Sequence, residues 1–249
     1  MKFWQSLFLC EGNQIIDVAK ISDELGFDGL LLPDHLLHIE GQESTYPYSE
    51  DGKPPSFTEE TVWPECWSLM AAMAAVTQKI LFATNVFILP LRNPIEVAKA
   101  TGSVAYFSDN RIILGAGAGW MKEEFDILGV DFSTRGKRYD ECIEVIRKLQ
   151  TGKKVEHHGE HFEFSGQMSP APTRPVPIYM GGISAPAMRR TARLGDGWLG
   201  PGQMLDDAIA TAKKLTELRA ECGRSNEPLE LIAPVYNECS PDDFKRMED

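Results

Sequence analysis

Paired cysteines, long apolar runs and an excess of positive charge are all missing from this chain, and each absence removes a class of protein. The five cysteines (Cys10, Cys66, Cys142, Cys222 and Cys239) are odd in number, scattered and never spaced C-x-x-C. That usage fits reduced thiols in a cytoplasm and argues against a zinc ribbon. The apolar run at residues 7–10 is too short for a signal peptide, and nothing approaches the roughly 20 apolar residues of a membrane span. Acidic residues outnumber basic ones 37 to 25, a net charge of −12, so nucleic acid and anionic membranes are poor partners. An anionic ligand must be held locally, by backbone N–H groups or a few arginines. No G-x-S-x-G nucleophile elbow is present.

What is there is a repeating strand-then-helix pattern over 249 residues, enough for one large α/β domain. The chain is organised around residues 80–120. Residues 80–83 form an apolar run, as expected of a strand buried on both faces. Asn93-Pro94 is a helix start, since Asn caps free N–H groups and Pro at the first helical position loses no bond. Ser108-Asp109-Asn110 ends that helix, and residues 111–114 make the next strand. Further strands are expected at 2–9, 27–32, 177–180, 196–199 and 229–235. Helices are expected at 13–25, 64–76, 138–149, 184–194, 205–222 and from 240 onward, with Gly26 as a left-handed stop. About seven such units predict a (β/α)8 barrel of the TIM type that lacks its last β/α unit, a single domain over residues 1–249. Two insertions stand out: a polar segment at 36–62, long enough to be a lid, and a hairpin at 152–175.

In such barrels chemistry sits at the C-terminal strand ends. Asp34-His35 follows the second strand as either an acid/base pair or a loop-stabilising Asp beside a surface His. Thr84-Asn85-Val86 is either a bulge aimed at a flat ligand or a plain strand-to-loop transition. The run 115–120, with Gly117 and Gly119, admits a planar ring or close helix packing, and its spacing is not the G-x-G-x-x-G fingerprint. Met180-Gly181-Gly182-Ile183-Ser184 enters a helix and is either a phosphate seat or a tight turn. His35-x-x-His38 and His157-His158-x-x-His161 offer imidazole pairs without a third ligand, so no metal is expected.

Together these strand ends resemble the bacterial luciferase-like monooxygenase family, in its deazaflavin branch that uses coenzyme F420. The resemblance rests on L-G-F-D-G-L-L-L-P-D-H (25–35), T-Y-P-Y (45–48), L-P-L-R-N-P-I-E-V-A-K (89–99), L-G-A-G-A-G-W-M-K-E-E-F (114–125), R-G-K-R-Y-D-E (135–141), G-G-I-S (181–184) and G-D-G-W (195–198). It implies a flavin or deazaflavin ring against a bulge with a non-proline cis peptide, here Asn85–Val86, and near Gly117 and Gly119. It implies a phosphate on Gly181, Gly182, Ile183 and Ser184, with Met180 among the cofactor-binding residues, and Asp34 with His35 as the catalytic pair. The implied activity is hydride transfer between F420 and a small organic substrate lying under the 36–62 segment. The alternatives are an FMN-dependent monooxygenase fed by a flavin reductase and using O2, or a truncated flavin-binding protein without activity. A homodimer in the cytoplasm is the expected setting. One departure matters: Trp120 stands where the sugar-phosphate dehydrogenases of this branch carry Glu, which argues against sugar-phosphate oxidation.

Overall fold

Residues along a strand alternate between two faces, and in the central strands of this sheet both faces are buried. The computed structural model describes residues 1–54, 58–236 and 238–248. The strands are β1 (Trp4–Ser6), β2 (Gly29–Leu32), β3 (Leu81–Thr84), β4 (Phe87–Ile88), β5 (Ile112–Gly117), β6 (Val155–His158), β7 (Glu163–Gly166), β8 (Ile178–Gly181), β9 (Gly197–Leu199) and β10 (Glu230–Ile232). Seven of them run parallel in the order β1-β2-β3-β5-β8-β9-β10, and β4 continues β3 alongside β5. Order that follows the chain without reversal curls a sheet as in a (β/α)8 barrel, whereas a doubly wound sheet reverses at a switch point. Among the described residues no strand joins the edges β1 and β10. An ion pair of 3.0 Å between Lys2 and Glu230 spans them. β6 and β7 form the expected antiparallel hairpin.

The helices are α1 (Ile15–Leu25), α2 (Cys66–Ala74), α3 (Pro94–Ser108), α4 (Lys122–Ile127), α5 (Arg135–Gln150), α6 (Ala185–Leu194), α7 (Leu205–Glu221) and α8 (Pro241–Glu248). Their ends obey local chemistry. The Asn93 side chain accepts from the Ile95 N–H at 2.9 Å, ahead of Pro94. Gly26 closes α1 at φ 81°, where a Cβ would be strained. The first strand, Trp4–Ser6, is shorter than the 2–9 run suggests, and Leu9 beyond it lies at φ 59°. α5 starts at Arg135 rather than 138, after a 3-10 turn over Phe132–Thr134. The short elements β4 and α4 carry too few residues to show a period.

Alternation divides the core in two. Outward strand residues Leu30, Leu32, Phe82, Ile112, Leu114, Ile178 and Met180 pack with the helices in the larger cluster. Inward residues Leu31, Ala83, Ile113, Tyr179 and Leu199 fill the curl of the sheet, joined by Trp4, Leu81, Val86 and Ile232. Toward the C-terminal strand ends the inward positions become Gly115, Gly117 and Gly181. A Cβ on Gly115 would lie 1.8 Å from the Thr84 carbonyl oxygen and 2.2 Å from Leu199. Gly115→Ala should therefore destabilise the fold by about 3 kcal/mol or more, at the upper end of overpacking costs, because the obstacle is backbone. A urea midpoint unchanged from the wild type would reject this account of the contact.

Candidate active site

The site begins with a register shift. Ala83 pairs with Ile113, but Phe87 pairs with Ala116, so three residues of one strand (84–86) oppose two of the other (114–115). That is a bulge, and it lifts the chain off the sheet at the barrel mouth. Within it the Asn85–Val86 peptide is cis. The Thr84 hydroxyl donates to the Gly115 carbonyl at 2.6 Å, and the Asn85 N–H donates to the Leu32 carbonyl at 2.6 Å. The Val86 side chain turns inward over two glycines. A Cβ on Gly117 would meet it at 2.6 Å, and one on Gly181 at 2.9 Å.

Asp34 secures the far side of the bulge. Its carboxylate accepts from the Ile88 N–H at 3.0 Å, and Arg92 Nη2 donates to both of its oxygens at 3.0 and 3.1 Å. The guanidinium also lies over the Phe87 ring, 4.7 Å from its centroid. Burial raises the Asp34 carboxyl above its ordinary range, while Arg92 and the Ile88 N–H pull it back. With both oxygens accepting, it is held as the carboxylate. Asp34 is thus a bracket for the bulge, a different task from the acid/base role that adjacency to His35 suggests.

His35 finds its partner elsewhere. Its Nδ1 lies 3.1 Å from Glu124 Oε1, on a carboxylate that is 2% exposed. The His35 ring stands edge-on to Trp63 at 5.1 Å and to Trp120 at 6.4 Å between centroids. Glu123, the neighbour of Glu124 at the start of α4, reaches the other way. It accepts from the backbone N–H groups of Glu43 and Ser44 at 2.7 and 2.8 Å, pinning the 36–62 segment. Tyr46 of that segment packs on Trp120 at 5.1 Å. Residues 55–57 of the same segment, including Pro55, lie outside the described residues.

The fourth strand end supplies a helix entrance. Gly182 has φ 106°, Ser184 caps α6 by accepting from the Ala187 N–H at 3.4 Å, and Trp198 Nε1 donates to the Gly182 carbonyl at 3.0 Å. A Cβ on Gly182 would come within 3.4 Å of the Tyr48 hydroxyl, so the pinned segment reaches this entrance too. Ile183, Tyr48, Gly202, Gln203 and Lys214 help line an adjoining cleft of about 590 Å³.

The model of the luciferase-like monooxygenase family matches residues 11–248. The chain belongs to that family. A relative from Mycobacterium tuberculosis, the uncharacterized protein Rv0940c, is 36% identical over the whole of this chain and 86% of its own length. An F420-dependent glucose-6-phosphate dehydrogenase from Microbacterium testaceum is 24% identical over 95% of this chain and 67% of its own. Two solved structures share the fold. One is an F420-dependent secondary alcohol dehydrogenase in complex with an F420-acetone adduct (TM-score 0.74, 21% identity, 94% of this chain and 68% of that one). The other is the oxygenating constituent of 3,6-diketocamphane monooxygenase from Pseudomonas putida, in complex with FMN (TM-score 0.70, 18% identity, 90% and 64%).

The structure brings His35, Asn85, Val86, Gly117, Gly181, Gly182, Ile183 and Ser184 to the luciferase-like barrel mouth. The structure adds detail at four of the expected positions. The Met180 side chain points outward into the helix-packed core, so only its backbone faces the mouth. Gly117 and Gly181 make room for Val86 rather than directly for a ligand. Gly119, at φ 82° and hard against Ile88 and Phe125, shapes the turn into α4. The sequence reading missed Glu124, Glu123 and Arg92 as members of the site. The parity of Gly181 would have placed Met180 outward, but nothing local marks Glu124 as the partner of a His 89 residues earlier. Among the described residues no group of three or more His, Cys, Asp or Glu side chains is arranged to hold a metal ion.

The Glu123 latch has a pH signature. Burial works to raise its carboxyl, but the Ser44 hydroxyl and the N–H groups of Glu43 and Ser44 outweigh that and bring it down to about 2. A folded value below the ordinary 4.5 means that the latch contributes fully above about pH 4.5 and is lost as pH falls toward 2. At neutral pH, Glu123→Ala should raise hydrogen exchange at the Glu43 and Ser44 amides by at least about tenfold. Wild-type protection in that variant would remove the latch from the account.

Proposed function

We propose that this chain is an oxidoreductase that transfers a hydride between coenzyme F420 and a small organic substrate. The observation that carries the reading is a histidine, oriented by a buried carboxylate, beside a bulge seated on glycines at the C-terminal end of a barrel strand. The residues fit a ring-and-phosphate cofactor. The Asn85–Val86 backbone and the Val86 side chain offer a flat floor for the ring. Gly182, Ile183 and Ser184 lead into a ten-residue helix whose first-turn N–H groups and dipole suit a phosphate. When bound, the deazaflavin supplies a two-electron hydride donor or acceptor.

The chain's own part is orientation and proton handling. Glu124 on Nδ1 fixes the imidazole tautomer, so proton exchange with a substrate oxygen falls to Nε2 of His35. Asp34 and Arg92 keep the floor in place, and the segment latched by Glu123 covers the mouth. Trp63, Trp120 and Tyr46 limit water around the imidazole.

One observation favours a second reading, an FMN-dependent monooxygenase. The cleft beyond the helix entrance carries Glu50 and Asp207 against Lys214. FMN ends at its phosphate and sets no further charge there, whereas the carboxylate tail of F420 would.

Fluorescence titration with both cofactors separates the two readings. Tight F420 and weak FMN is the expected result; the reverse would move the chemistry to oxygen activation. His35→Ala should lower turnover by about 10²-fold or more with cofactor affinity retained. Turnover like the wild type would end its role in proton exchange. Gly181→Val should weaken cofactor binding by displacing Val86 from the floor, and unchanged affinity would count against that floor.

A further inference from the structure

We propose that the substrate of this site is an uncharged molecule with an apolar or aromatic body, and not a sugar phosphate or other anion. The proposal deepens the reading of His35 as the proton-exchanging residue and rests on it. Indoles stand on two sides of the imidazole: Trp63 and Trp120, both edge-on and both only half-buried. Phe8 extends the first wall at 5.9 Å from Trp63, and Tyr46 extends the second at 5.1 Å from Trp120. The loops around them expose Leu9, Leu36, Leu37 and Val62 to solvent, so the approach to His35 is apolar as well. Exposed apolar surface grouped around a catalytic-type residue marks a recognition surface for apolar ligands.

Charge points the same way. Among the described residues the carboxylates next to the imidazole are Glu124 and Asp34. The guanidinium close by, Arg92, already donates to both Asp34 oxygens. An anion brought here would meet carboxylates whose compensating cation is committed, and would lose its hydration without gaining a partner. A neutral alcohol or ketone loses little, gains the indole faces, and still offers His35 one oxygen.

The test uses three probes: benzyl alcohol, its anionic analogue 4-(hydroxymethyl)benzoate, and glucose 6-phosphate. Binding to the purified protein is read by calorimetry and by tryptophan fluorescence, without cofactor and with F420 or FMN present. Benzyl alcohol should bind at least about tenfold more tightly than either anion. Trp120→Ala should weaken it by a similar factor and Trp120→Phe should restore it. Equal or tighter binding of an anion overturns the proposal, and so does failure of benzyl alcohol to bind in every form. His35→Ala keeps the two levels apart. If that variant retains turnover while the probe preference holds, the proton role fails and the substrate class stands.

Discussion

One close approach governs this molecule: the backbone of residues 84–86 lies against strand positions that have no side chain. The Thr84 carbonyl occupies the place where a Gly115 Cβ would be, and Val86 occupies the places of Cβ atoms on Gly117 and Gly181. The three glycines come from two different strands, so the seat exists only once β5 and β8 have paired. A local feature of one strand end is therefore a product of the assembled sheet. The loss of inward side chains at this level also ends the apolar filling of the barrel, because Leu31, Ala83, Ile113, Tyr179 and Leu199 lie one layer below. The floor of the site is the top of the core.

Two adjacent residues of the second strand end show how position and role come apart. Asp34 and His35 are neighbours in the chain, yet their partners lie in opposite directions, Arg92 and the bulge for one and Glu124 for the other. The division suits the chemistry. A carboxylate already committed to a guanidinium and an N–H group is a poor proton carrier but a good bracket. An imidazole with one nitrogen on a buried carboxylate has a defined tautomer and a defined direction.

The architecture was legible because a parallel sheet covered by helices writes itself as apolar runs between capped helices. Asn93-Pro94, Gly26 and the glycines at 181–182 are local signals, and each sits in the structure where its local chemistry requires. The site was half legible for the same reason. Strand ends can be located by counting along a barrel, so His35, the 85–86 bulge and the 181–184 entrance could be expected at one end of the sheet. Their partners could not be. Glu123 and Glu124 sit in a six-residue helix, Lys122–Ile127, too short to show a period. Their roles depend on contacts with residues about eighty positions away in sequence. Met180 shows a different limit: a motif names residues as a block, whereas a strand sends alternate residues to opposite faces.

The first turn of α4 holds both ends of the arrangement. Glu123 accepts from the Glu43 and Ser44 N–H groups and Glu124 holds the imidazole, and the two are consecutive residues of one helix. A shift of this one turn therefore registers in two places at once. The position of residues 43–44 is thereby linked, through one turn of α4, to the position of the His35 ring. A substitution that displaces residues 43–44 would therefore, through α4, also shift His35.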